Sequence, residues 1–200
     1  MEYLKKWIRN NGATAILVVL FIVLLINTDA RAWLMRQIAS TGILNSSISE
    51  PKEKEGGPSS ARYADLIVRN EEGAVLSTSA LKGKVVFINF WASWCPPCRA
   101  EFPSIQEFYN RYSNHPQMVF LTVNLDENPV LGKNYIKEKG FTIPFLTSAG
   151  NIPREYFNGS LPTTVVLDKK GEIRLHHSGL ADYSKDSFYF QIDALLKQKP

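Results

Sequence analysis

The chain has 200 residues, 44% of them hydrophobic and 21% charged, with 12 Gly and 11 Pro; this excludes a disordered or fibrous protein and leaves room for one globular domain with accessories. Its net charge of +4 is unevenly placed, with five Lys/Arg against two Asp/Glu in residues 1–44, two against three in residues 45–60, and sixteen against fourteen in residues 61–200. The globular part therefore carries no block of like charge, and nucleic acid is not an expected partner.

The first predicted element is an apolar helix. Nineteen uncharged residues, NNGATAILVVLFIVLLINT, separate Arg9 from Asp29, and at ~1.5 Å per residue they reach roughly 28 Å, about the thickness of the hydrocarbon layer. Lys5, Lys6 and Arg9 precede the stretch, and Trp7 and Trp33 flank it as interfacial aromatics do. A single-pass signal anchor with its N-terminus in the cytoplasm is the expectation for residues 1–29. A cleaved secretory signal is the rival, since Ala30-Arg31-Ala32 has a small-x-small form, although an Arg in the middle and Trp33 behind it make a poor cleavage site. Both readings export the C-terminal part of the chain.

Residues 30–60 read as a juxtamembrane helix and a linker. Leu34, Met35, Ile38 and Ala39 recur at helical spacing within Arg31–Leu44, which suits either a helix along the bilayer surface or a continuation of the anchor. NSSISEPKEKEGGPSS, Asn45 to Ser60, is polar, contains Pro and Gly, and has no apolar period, as a flexible tether does. The globular domain is placed at residues 61–200.

Within it, ADLIVRN and AVLSTS around EEG predict a hairpin, and the continuous apolar run Val85 to Phe90 predicts a buried central strand. A helix follows from Cys95 to about Tyr112, then a second buried strand from Met118 to Leu125, then a helix from Asn128 closed by Gly140. Past IPFLTS and a loop carrying IPREYF come two strands joined by a turn at Asp168 to Gly171, and a last amphipathic helix from Ser184 to about Lys197. The alternation predicts an α/β domain with a mixed central sheet and helices on both faces.

The chain's two cysteines, Cys95 and Cys98, both lie in NFWASWCPPCRAEFP. A structural disulfide gains by closing a long loop, and a two-residue spacer closes almost none. A structural zinc site needs four ligands, whereas this chain has one Cys pair, His115 before a proline, and the adjacent His176 and His177, which a strand would point to opposite faces. A redox dithiol has a mechanism here, because a helix N-terminus favours a thiolate on Cys95, and Cys98, one turn on, lies on the same side and can resolve.

FWASWCPPC after a buried strand, with LPTT about 65 positions later and LDKKGEIRLHHSGL as a closing hairpin, resembles the thioredoxin-fold proteins, and within them the membrane-anchored TlpA/ResA group. The resemblance covers roughly Ala61 to Lys199. It implies a thioredoxin-like fold with an N-terminal hairpin extension, a cis Pro162 packed against the dithiol, and a Leu161 backbone that pairs with the extended chain of a partner. It also implies a thiol-disulfide oxidoreductase on the extracytoplasmic side, without cofactor beyond the Cys95-Cys98 disulfide. The expected partners are exported disulfide-containing proteins and a membrane electron donor of the DsbD/CcdA kind, with cytochrome c maturation a common destination.

The frame of the motif adds four expectations. Pro96 and Pro97 fit the first helical turn, where a missing N–H costs no intrahelical bond, and they remove two donors from the Cys95 thiolate, which favours a reductant over an oxidant of the DsbA type. Pro103 is expected to kink the same helix. Asn89 stands where classical thioredoxins carry a buried Asp. Glu101, one turn past Cys98, is then the candidate proton acceptor for Cys98, its alternative being a solvated residue at a helix start. Trp94 is expected to shield the pair and shape a docking surface, and Trp91 to pack. Two other activities share the fold: a thiol peroxidase, whose Pro-x-x-x-Thr/Ser-x-x-Cys pocket lacks its proline here, and a copper metallochaperone, whose cysteines are spaced by three and joined by a distal His.

Overall fold

The computed structural model describes residues 2–40 and 65–199, with side chains of the first segment described from residue 11 to 38. The expected tether at residues 45–60 and the domain start at Ala61 lie outside the described residues. The chain opens with α1 (Glu2–Ile26) and α2 (Thr28–Ser40). Asn27 separates them by capping the second: its Oδ1 accepts from the N–H groups of Asp29 (2.9 Å) and Ala30 (3.1 Å), two amides with no acceptor inside α2. The two helices are bent by 103°, so α2 is not a continuation of α1. Among the described residues no single helix is long and apolar enough to cross a membrane; Asn11–Ile26 and Thr28–Ile38 are so only as a bent pair. The side chains of α1 nonetheless expose their apolar surface, Leu17 at 65% and Phe21 at 62%.

Helix α2 packs on the globular domain. Ala32 is buried, and Asp29, beside the bend, pairs with Arg99 and with Lys139 (3.1 Å). Arg36 Nε donates to the Ala100 carbonyl (3.3 Å).

The domain is built on seven strands: β1 (Ile67–Arg69), β2 (Val75–Ser77), β3 (Val85–Trp91), β4 (Met118–Asn124), β5 (Leu146–Ser148), β6 (Thr163–Leu167) and β7 (Ile173–Ser178). They form one mixed sheet in the order β2-β1-β5-β4-β3-β6-β7, with β3, β4 and β5 parallel and the other pairings antiparallel. All seven residues of β3 are buried, because strands flank it on both edges and packed layers cover both of its faces. Between the strands lie α3 (Pro96–Tyr112) and α4 (Pro129–Lys139), and α5 (Asp186–Lys197) ends the fold. Helix α4 starts where Asn128 caps the Val130 N–H (3.1 Å) and stops at Gly140, whose φ of +69° suits a residue without Cβ.

The mixed sheet flanked by helices is as expected, but the helices are distributed differently. On one face Val85, Phe87 and Trp91 pack with Phe102, Ile105 and Phe108 of α3, Tyr135 of α4 and Phe188 of α5. On the other, Val86, Ile88 and Phe90 meet Leu66, Leu81, Tyr156 and partly buried Phe157, with no helix of the α series among the described residues of that cluster. Successive right-handed crossovers from β3 to β4 and from β4 to β5 step the same way across the sheet, which puts α3 and α4 on one face. Phe108 sits at the centre of that layer, with rings of Phe87, Tyr112, Phe120 and Phe188 within 5.2 Å of its own. Phe108→Ala is expected to lower unfolding stability by about 3 to 5 kcal/mol, read as a fall in the urea midpoint at constant slope; a loss well under 1 kcal/mol would contradict this packing.

Candidate active site

Strand β3 ends at Trp91 and the chain turns at once into α3. The turn is closed by Cys95 N–H donating to the Ala92 carbonyl (3.2 Å), which makes Cys95 the N-cap of the helix. Pro96 and Pro97 then occupy the first turn, where they have no N–H to offer. The Cys98 N–H remains, and it donates to Cys95 Sγ (3.2 Å). Cys95 and Cys98 are joined in a disulfide, and both are buried. The expected strand-to-helix placement is thus present, with one amide serving the sulfur of the first cysteine.

Trp94 projects from this turn at 63% exposure, whereas Trp91 is wholly buried. Trp91 packs its ring against Phe102 (4.5 Å between centroids), Tyr135 (5.9 Å) and Phe145 (6.3 Å). Trp91 thus packs in the core as expected, while Trp94 faces solvent. Helix α3 runs unbroken through Pro103 to Tyr112.

Opposite the motif, the Leu161-Pro162 bond is cis. Register places it: Phe90 of β3 pairs with Thr163 of β6, so Pro162 lies one step further, level with Trp91 at the end of the strand that delivers the cysteines. Leu161 is partly buried against the cluster that contains Cys95 and Cys98.

Glu101 is 1% exposed, which overturns the alternative of a solvated residue. Its Oε1 accepts from Asn89 Nδ2 (2.8 Å), and the same amide donates to Thr164 Oγ1 (2.9 Å). The Ala181 N–H also serves the carboxyl. Glu101 Oε2 and Asn89 Oδ1 are buried without a hydrogen-bond partner. Burial pushes the Glu101 pKa up to about 8, against the opposing effect of the Asn89 and Ala181 donors. Burial, reinforced by the nearby Glu101 charge, also pushes the Tyr183 phenol well above its ordinary value.

The position expected to hold an acid thus holds the amide that supports one. Asn89 in β3 and Thr164 in β6 are paired neighbours in the sheet, and α3 brings Glu101 over them. A carboxyl whose pKa is pushed up to about 8, one helical turn from Cys98, is suited to exchange a proton there. Thr164 was not a candidate from sequence, since it lies 75 residues from Asn89 and looks like any strand threonine. Ser93 and Asp126 were missed as well; Ser93 N–H and Oγ donate to the Asp126 carboxylate just past β4. The signal available was a lone Asp following a buried parallel strand, where such sheets place their sites. Among the described residues no group of three or more His, Cys, Asp and Glu is arranged to hold a metal ion.

The Redoxin family matches residues 58–186. Thiol-disulfide oxidoreductase ResA of Bacillus thuringiensis (strain Al Hakam) is 34% identical over 110 residues, 54% of this chain and 63% of that protein. The match thus spans less than two thirds of that relative's length. Sporulation thiol-disulfide oxidoreductase A of Bacillus subtilis (strain 168) is 38% identical over 114 residues, covering 55% of this chain and 68% of that protein. Among solved structures, StoA from Bacillus subtilis superimposes with a TM-score of 0.53 at 29% identity, covering 68% of this chain and 98% of that one. The chain belongs to the Redoxin family and has its thioredoxin-like fold.

The Glu101 environment has a sign that stability can read. A carboxyl raised from an ordinary value near 4.5 to about 8 binds its proton more tightly when folded. Its contribution is fully present below the unfolded value and is lost as pH rises through about 8. Glu101→Gln is therefore expected to remove a fall in stability of roughly 2 kcal/mol or more between about pH 5 and 9. Parallel melting curves of parent and variant on both sides of neutrality check this.

Proposed function

We propose that this protein is an extracytoplasmic thiol-disulfide oxidoreductase that works as a reductase of disulfides in exported proteins. The observation that carries the reading is the Cys95-Cys98 disulfide at the start of α3, flanked by cis Pro162 and by buried Glu101. In the reduced protein the Cys95 thiolate attacks a disulfide of the partner. A mixed disulfide forms between Cys95 and one partner sulfur, and the other partner sulfur leaves as a thiolate that takes a proton from water. Cys98 then gives its proton to Glu101 and attacks Cys95 Sγ. The second partner sulfur leaves and is protonated, the Cys95-Cys98 bond closes, and two electrons have passed to the partner.

Each remaining candidate has a part in this cycle. Trp94, Pro96 and Pro97 form the solvent-facing side of the dithiol, and the Leu161 backbone next to Pro162 offers hydrogen bonds to the extended chain that carries the partner's cysteine. Pro96 and Pro97 leave the Cys95 sulfur with the Cys98 N–H alone from the first turn. A thiolate so weakly held does little to destabilise the disulfide, which favours a reductant.

An exported reductase has to be reduced again from the membrane, and the resemblance to the TlpA/ResA group points to a donor of the DsbD/CcdA kind and to cytochrome c maturation as a destination. Exposed apolar side chains along α1, behind Lys5, Lys6 and Arg9, support residues 1–29 as a cytoplasmic tip and anchor. Residues 30–60 then join the anchor to the thioredoxin-like domain at residues 61–200.

Cys98→Ser in the native host is expected to hold partner proteins on Cys95 as mixed disulfides that dithiothreitol releases, and Cys95→Ser to hold none. Equal adduct yields from the two variants would overturn the order of attack. The reduction potential of the parent is expected to lie well below the roughly −120 mV of a DsbA-type oxidant. Equilibration against glutathione that returned a value near that figure would reverse the proposed direction.

A further inference from the structure

The turn that delivers Cys95 is fastened from the side by a residue outside the motif. Ser93 donates its backbone N–H to both carboxylate oxygens of Asp126 (3.0 and 3.2 Å) and its Oγ to Asp126 Oδ1 (3.1 Å). Its carbonyl accepts from Arg99 Nη1 (3.2 Å), so every polar group of Ser93 is engaged. Asp126 is held in turn, its Oδ2 accepting from Asn124 Nδ2 (2.8 Å) and its N–H donating to Asn124 Oδ1 (3.3 Å). One step back, the Leu125 N–H donates to the Trp91 carbonyl (2.8 Å), which ties the same connection to the end of β3.

Helix α4 closes the remaining side. A Cβ placed on Gly132 would lie 2.3 Å from Asn124 Nδ2 and 2.8 Å from Asp126 Oδ2, closer than atoms approach without displacement. Gly132 is therefore the clearance that lets α4 rest on the carboxylate, and it leaves Asp126 only 7% exposed. A carboxylate so enclosed, whose described partners are all N–H and O–H groups of its neighbours, has one rigid position.

We propose that Asp126 is a positioning residue for Cys95: by clamping Ser93, with Gly132 as its backstop, it holds the turn so that Cys95 Sγ stays aligned with the Cys98 N–H at the start of α3. The proposal rests on the dithiol-exchange reading. It matters because Pro96 and Pro97 have removed the neighbouring amides, so the thiolate depends on a single donor and on the helix end, both steep functions of placement. The same carboxylate acts on Cys95 in a second, opposite way, since a nearby negative charge disfavours a thiolate. Among the described residues the charged groups around the turn are Asp126 from the β4–α4 connection, Arg99 and Glu101 from α3, and Asp29 from α2, which pairs with Arg99; substitutions at Asp126 and Gly132 leave the last three in place.

The opposite signs make the test decisive. Reduced full-length protein in detergent, carrying Cys98→Ser so that one thiol remains, is alkylated with iodoacetamide across about pH 5 to 10, and the midpoint of the rate profile reports the Cys95 thiolate. Positioning predicts that Asp126→Asn and Gly132→Ala both move the midpoint to higher pH and slow alkylation at neutral pH roughly three- to tenfold. A midpoint moved to lower pH by Asp126→Asn with Gly132→Ala unchanged would mean a bare charge effect and overturn the proposal, as would profiles within twofold of the parent in both. Gly132→Ala keeps every polar group, so the test survives even where Asp126→Asn folds poorly. Insulin reduction by the parent is assayed separately. A parent inactive there counts against the exchange reading and leaves the clamp standing, because alkylation needs no partner protein.

Discussion

One hydrogen bond organises the centre of this molecule. A helix that begins with two prolines has few amides to place, and in α3 the Cys98 N–H finds the sulfur of Cys95. That contact caps the helix, brings the two sulfurs to bonding distance and aims the positive end of the helix at the first of them. The rest of the domain serves to put a strand end, a helix start and a cis-proline loop together at one end of the sheet's inner strands. β3 is buried along its whole length, so the turn that leaves it starts from a fixed point. β6 pairs with β3 in a register that sets Pro162 level with Trp91.

Beneath the dithiol the protein accepts a cost. Glu101 is enclosed with two hydrogen-bond donors and one unpartnered oxygen, under a layer of aromatic and aliphatic side chains. Burial of a carboxyl in that setting disfavours its charge and brings its titration to the pH range where thiols also titrate. An Asp in the strand would do similar work from below; here Asn89 in the strand holds the acid that the helix supplies. The division has a structural logic, since an amide can serve Glu101 and Thr164 at once with its two hydrogens.

The N-terminal segment behaves as two helices. Asn27 ends α1 by capping α2, and the chain turns through 103°. Asp29, at the bend, meets Arg99 from α3 and Lys139 from α4, and Arg99 also reaches Ser93 in the active-site turn and stacks on the Tyr135 ring. Exposed ion pairs of this kind contribute little stability individually. Their interest is in where they sit, between an apolar helix and the helix that carries the cysteines.

Much of this was legible in the residues. The continuous apolar run Val85–Phe90, the cysteine pair directly after it, Asn128 and Gly140 at the two ends of α4 and the turn at Asp168–Gly171 are local signals, set by neighbours a few positions apart, and the sequence alone determined them. The motif with its distant Leu161-Pro162 likewise identified the fold, by resemblance. Other features had no local signature. β5 is three residues long, too short for a period to show, and it is a strand because β1 and β4 flank it. The gathering of α3, α4 and α5 on one face follows from strand order. The burial of Glu101, its bond to Asn89, the bond of Asn89 to Thr164 and the clamp of Asp126 on Ser93 join residues 12, 75 and 33 positions apart. Such contacts depend on which strands pair and how closely a helix can approach, and only the tertiary structure decides that. The sequence determined that a cysteine pair sits at a helix start; the packing of distant side chains decided which groups hold it there and that Glu101, one turn on, is buried against Asn89.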